Sequence, residues 1–138
     1  MAGKVAFELV SPEKLLASLE ADMVTVPGSE GDFGVLPNHV PMISTLRPGV
    51  ITVDEDANTR IRYMVAGGFV EVTRSRCTVL VEDVQPLGEV SIDLLDSKLK
   101  AAEEALNDAG DAASKRVAMA KIDVVLAQKR AFIHYAAH

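Results

Sequence analysis

Two different periods divide this chain near Pro86. Between Val5 and Val84 the apolar residues come in short runs that alternate with polar ones and are cut by Gly, Pro, Asn and Asp. From Ile92 onward there is no proline and a single glycine, and apolar residues recur every three or four positions. The first pattern predicts strands at Lys4–Val10, Met23–Val26, Met42–Leu46, Val50–Val53, Arg60–Val65, Phe69–Val72 and Cys77–Val81. Val5, Phe7 and Leu9 share one face, as do Ile61, Tyr63 and Val65. Lys14–Glu20 reads equally as a helical turn or a strand. Ser29–Gly34 reads as a Gly-rich acidic turn, Pro48-Gly49 as a turn, and Asp54–Asn58 as a polar hairpin tip. Eight to ten short strands in so few residues imply two sheets packed face to face, since one sheet cannot bury both faces.

The second pattern predicts two helices. Ser91 is placed to cap the first, whose stripe is Ile92, Leu95, Leu99, Ala102 and Leu106. Asn107–Asp111 stops it and turns the chain. The second carries Val117, Ala120, Val124, Ala127 and Ala131, widened by Ile122, Val125, Leu126 and Phe132. The short connection makes the pair an antiparallel hairpin. Its seam is rich in alanine, which buries little area per residue, so the hairpin is a candidate for a second conformation. The expected fold is therefore β plus α: a β-sandwich over residues 1–86 and a helical hairpin over 87–138.

Composition narrows the function. The chain has 138 residues and a net charge of −6, which opposes nucleic-acid binding. Residues 1–86 hold 7 Lys/Arg against 12 Asp/Glu, and residues 87–138 hold 7 against 8, so the β part is the acidic part. No stretch nears the ~20 apolar residues of a membrane span, so membrane association would go through a partner. The N-terminus carries neither a signal core nor an Arg/Ser-rich transit pattern. Cys77, the one cysteine, is expected as a half-buried strand residue.

Candidate chemistry is thin. Glu30, Asp32 and His39 form the one close acid–base cluster, with no nucleophile beside it. Gly28, Gly31 and Gly34 might cradle a phosphate, but the two carboxylates among them oppose it and no P-loop lysine follows. His134 and His138 have the spacing of a helical metal pair without a third ligand, and fit better as charge at a helix C-terminus. Lys115, Arg116, Lys121, Lys129 and Arg130 make the second helix basic, either as a solvated face or as a docking face for an acidic partner. No catalytic residue, metal or cofactor is expected.

The stretch from Val24 to Val50 contains Gly28-Ser-Glu-Gly-Asp-Phe-Gly34, Pro37-Asn-His-Val-Pro41 and Pro48-Gly49, and Tyr63–Val72 is a hydrophobic strand interrupted by Gly67-Gly68. Together these resemble the epsilon subunit of bacterial F-type ATP synthases, a relative of the mitochondrial delta subunit, over essentially the whole chain. The resemblance implies a ten-stranded β-sandwich followed by a helical hairpin. It implies a non-catalytic central-stalk subunit of a proton-translocating enzyme, peripheral on the cytoplasmic face of the bacterial inner membrane. Its partners would be the gamma subunit, the c-ring and, through the hairpin, the alpha/beta catalytic subunits, with the hairpin restraining ATP hydrolysis. Ser29, Glu30 and Asp32 fall in the family's c-ring-facing loop, and His39, Val40 and Met42 in its gamma-contact region. Family members that bind ATP carry an Ile/Leu-Asp-x-x-Arg-Ala motif where this chain has Ile92, Asp93 and then Asp96 in the arginine's place. An anion there repels phosphate, which weighs against the alternative reading, an autonomous nucleotide-binding sensor. A third reading, a small hydrolase built on His39 with Glu30 or Asp32, lacks a nucleophile.

Overall fold

The computed structural model describes residues 3–136. Ten strands precede two helices: β1 (Val5–Val10), β2 (Leu15–Ala21), β3 (Met23–Gly28), β4 (Gly31–Val35), β5 (Met42–Leu46), β6 (Gly49–Asp54), β7 (Arg60–Val65), β8 (Gly68–Val72), β9 (Arg76–Leu80), β10 (Val84–Pro86), α1 (Ile92–Asp108) and α2 (Ala112–Ala136). The segment read as either helix or strand is β2. It pairs antiparallel with β1, from Val5 opposite Ala21 through Phe7 opposite Leu19 to Leu9 opposite Ala17. The acidic segment read as a turn is mostly β4, whose ladder with β3 runs from Val24–Val35 to Gly28–Gly31. Only its tip turns.

The two layers are not separate sheets. One path of hydrogen bonds runs β10-β7-β6-β3-β5-β8-β9-β1-β2, with β4 attached to β3. The layers β10-β7-β6-β3-β4 and β5-β8-β9-β1-β2 meet through a single β3–β5 pair, Gly28 with Leu46. The sheet bends back at that pair and encloses a core of Val5, Phe7, Leu9, Val24, Val26, Ile51, Val53, Val70, Val72, Cys77 and Val79. Rings from opposite layers meet there, Phe7 and Tyr63 at 6.4 Å. All strand pairs are antiparallel except β1 with β9, which is parallel.

β6 is buried on both faces. Ile51 and Val53 point into the sandwich, while Val50 joins Met64, Val90, Leu95 and Val125 in a second cluster under the helices. A strand sandwiched in this way reads as a continuous apolar run rather than an alternating one. A 3-10 turn at Leu87–Glu89 swings the chain onto this wall. The Ser91 hydroxyl then accepts the Leu94 N–H at 3.1 Å, so the expected cap is present. α1 ends at Asp108 and Asp111 caps α2 through the Ser114 N–H at 2.7 Å. Leu95 and Ala102 of the expected α1 stripe are buried, whereas Ile92 is exposed. On α2 the buried residues are Val125, which belongs to the expected apolar face, and Ala118 and Gln128, each one position beyond the expected Val117 and Ala127. Val117 and Ala120 of that stripe are exposed. Gln128 explains the offset: its Nε2 donates to the carbonyl of Val65 at 3.2 Å, so a polar residue sits in the seam.

Candidate functional site

Three surfaces carry the residues singled out by the sequence. The first is the β3–β4 tip. Ser29 and Glu30 are exposed there, and the Ser29 N–H donates to the Thr45 carbonyl at 3.0 Å. Gly28 is obligatory, because a Cβ would lie 2.8 Å from both the Gly31 carbonyl oxygen and the Phe33 ring. No cation lies near Asp32 in sequence, yet Asp32 is paired with Arg47. Arg47 also donates to the Gly28 carbonyl at 2.6 Å. The bend that joins the two layers brings these distant residues together, with the Arg47 N–H bonded to the Pro27 carbonyl at 2.9 Å. Glu30 is left as the unpaired carboxylate of the tip among the described residues.

The second surface surrounds the loop before β5. Asn38 takes the left-handed conformation with φ 68°, and its N–H donates to the Arg74 carbonyl at 2.8 Å. His39 is held by its own loop: its N–H reaches the Leu36 carbonyl at 3.1 Å and its Nδ1 the Val40 carbonyl at 2.7 Å. Its ring lies 6.2 Å from Phe33, and no hydrogen bond or ion pair joins it to Glu30 or Asp32 among the described residues. The acid–base cluster suggested by sequence proximity is not assembled. Val40 is 69% exposed, but Met42 turns inward against the core. The register adds residues that sequence reasoning missed. Phe69 pairs with Thr45 on one side and Leu80 on the other, and Ile43 pairs with Glu71, so Ile43, Phe69 and Leu80 share the outer face. They are 73%, 55% and 42% exposed. The signal was present as apolar residues on the solvent side of each alternation.

The third surface is the helical hairpin. Lys115, Arg116, Lys121 and Arg130 are exposed. Lys129 is turned inward and pairs with Asp96 of α1 at 2.6 Å. Ile92 and Asp93 lie exposed at the start of α1. The position that would carry an arginine in an ATP-binding motif thus holds the anionic half of an internal ion pair. The Arg62 guanidinium lies 4.7 Å above the Tyr135 ring, tying α2 to β7. His134 meets Tyr135 edge-on at 4.8 Å, and His138 lies outside the described residues. Cys77 is fully buried rather than half-buried, and burial pushes its thiol up to about 12, which removes it as a nucleophile. No helix among the described residues is long and apolar enough to cross a membrane.

A bent ten-stranded sandwich with a helical hairpin laid across one wall defines a class of β-plus-α module. Residues 4–86 match the family described as ATP synthase, Delta/Epsilon chain, beta-sandwich domain. The ATP synthase epsilon chain of Paramagnetospirillum magneticum is 53% identical over 109 residues, 79% of this chain and 82% of its own length. That of Rhodospirillum centenum is 45% identical across 95% of this chain and 98% of its own. The chain belongs to the ATP synthase delta/epsilon family. The fold also matches a chain of the Euglena gracilis mitochondrial ATP synthase, solved as OSCP/F1/c-ring, with a TM-score of 0.76 at 20% identity. That match covers 100% of this chain and 84% of the other. A chain of the Tetrahymena thermophila mitochondrial ATP synthase central stalk/c-ring matches with a TM-score of 0.67 at 21% identity, covering 97% of each.

Proposed function

We propose that this chain is a non-catalytic rotor subunit of a proton-translocating ATP synthase, seated on the gamma subunit and the c-ring at the cytoplasmic face of a bacterial inner membrane. It couples c-ring rotation to ATP synthesis, and its hairpin restrains ATP hydrolysis through contact with the alpha/beta head. The observation that carries the reading is the outer face of β5, β8 and β9. Phe69 and Leu80 stand directly opposite each other on β8 and β9, Ile43 lies diagonally from Phe69 on the same face of β5, and exposed Val40 lies in the loop that leads into it. Apolar groups exposed contiguously on a rigid sheet suit a large, permanent protein contact. The gamma region proposed for His39, Val40 and Met42 therefore extends onto Ile43, Phe69 and Leu80, with Met42 supporting it from beneath. Ser29, Glu30 and Asp32 form the c-ring side, where Arg47 stiffens the tip and Glu30 remains available to a polar loop. Residues 1–86 form the docking domain and residues 87–138 the regulatory element.

The test is co-purification with gamma and the alpha/beta hexamer, using wild type and Ile43→Asp/Phe69→Asp. Both side chains point to solvent in the isolated chain, so the double variant should fold normally and lose gamma by ~100-fold or more. Undiminished capture would remove this face from the interface, and absence of wild-type capture would sink the stalk reading.

A further inference from the structure

α2 is apolar on more than one side. Its buried residues are Ala118, Val125 and Gln128. One residue round the helix, a turn of about 100°, the neighbouring face carries Val117, Ala120, Val124, Ala127 and Ala131 and no polar side chain. Val124, Ala127 and Ala131 stand half-buried at the edge of the seam, while Val117 and Ala120 are exposed. Hydrophobic pattern alone therefore favours the neighbouring face, yet the helix buries the one that contains an amide. The contact that holds it there is internal. The Gln128 Nε2 donates to the Val65 carbonyl at 3.2 Å, and both residues are buried. The Lys129–Asp96 pair and Arg62 over the Tyr135 ring agree with this rotation. Both act through long, partly exposed side chains, which hold a helix loosely.

We propose that Gln128 is the positioning residue of the hairpin: its bond to β7 selects between two adjacent faces of α2 and so decides which face is turned outward to a partner. Turning α2 by one residue would draw the amide away from Val65 and break a hydrogen bond between two buried residues, where water does not replace it. The alanines of the seam resist such a turn weakly, because small side chains interlock little across a helix pair. Packing of that kind loses its uniqueness before its stability. A buried polar contact supplies the uniqueness that the alanines do not. In the observed rotation the outward side of α2 carries Met119, Leu126 and Arg130. A turned helix would replace that surface, so the identity of the outward face is set at Gln128. The inference concerns the isolated chain and does not rest on the stalk reading.

The test is thiol labelling of the full chain with one reporter on each face, Val117→Cys in one protein and Ala118→Cys in another. Cys77 is fully buried and gives a silent background. With Gln128 present, the thiol at 117 should react at least about ten-fold faster than the thiol at 118, because access limits the rate. Gln128→Ala should reverse that order, since the turned helix covers 117 and uncovers 118. Val125→Ala removes packing from the same buried face and leaves the amide in place, so it should keep the original order. An unchanged order in Gln128→Ala would overturn the proposal. So would equal reactivity of the two thiols there, which would mean that α2 comes away rather than turns, or the same reversal in Val125→Ala.

Discussion

Gly68 fixes the course of the outer sheet. Its φ is +146°, and a Cβ would come within 2.3 Å of the Leu80 carbonyl oxygen. That oxygen belongs to β9, the strand that pairs with β8, so the clash cannot be relieved by moving a side chain. Gly68→Ala should therefore destabilise the chain by more than ~1 kcal/mol, read as a lower urea midpoint at unchanged slope. An unchanged midpoint would mean that the β8–β9 ladder yields locally. Pairs of glycines were visible in the sequence as a site for a bend. Which of Gly67 and Gly68 meets backbone was not, because that depends on the strand alongside. The Asp32–Arg47 pair was hidden for the same reason: fifteen residues separate the partners, and only the fold at Gly28–Leu46 unites them.

Among the elements, the strands were more legible than the helices' faces. Alternation assigns a side to every residue, and the inward set Val5, Phe7 and Leu9 is buried as expected. α2 defeated the same reasoning because alanine is compatible with either side of a helix and because Gln128 is buried through a backbone carbonyl no pattern announces. β4 was misread since Gly31, Asp32 and Gly34 carry turn chemistry, whereas Phe33 and Val35 supply the pairing face. The Ser91 cap was legible, whereas Asp111, which the sequence offered only as part of the turn between the helices, also caps α2, and that cap has a pH signature. The Asp111 carboxylate is held below its ordinary range by the Ser114 N–H that it accepts. A group depressed on folding stabilises above its unfolded value, near about 3.9, and that contribution fades as pH falls through the lower folded value. The first turn of α2 should accordingly loosen on acidification, seen as a lower protection factor of the Ser114 amide after the intrinsic pH dependence of exchange is divided out. In Asp111→Asn, which keeps a capping oxygen without a titrating proton, that loosening should vanish. Persistence of the same acid response in the variant would assign it to another group.

The whole molecule is two clusters sharing one wall. The sandwich core draws on residues from Val5 to Val81, and the second cluster rests Leu95 and Val125 on Val50 and Met64. A chain ending at Pro86 retains its entire sandwich core, and we expect it to fold with a cooperative urea transition. It also uncovers Val50 and Met64, which are 4% and 3% exposed in the full chain, so it should self-associate. Val50→Thr/Met64→Gln in that fragment should restore a monomer by sedimentation, and an unfolded fragment would show that the hairpin is part of one indivisible domain. The division near Pro86 was plain in the sequence as a change of period. The shared wall was not, because β6 looks like any short apolar run.

The lone parallel pair has a consequence for how the chain comes into being. β1 acquires β2 at once, but its other neighbour, β9, lies some seventy residues downstream, with Ala6 opposite Arg76. During synthesis the earliest strand must therefore wait, its Phe7 and Leu9 uncovered, until nearly all of the sandwich has emerged. Closure of so distant a pair is slow, on the order of milliseconds to seconds for chains dominated by such pairings. The interval keeps apolar side chains of the nascent first hairpin open to association with other chains.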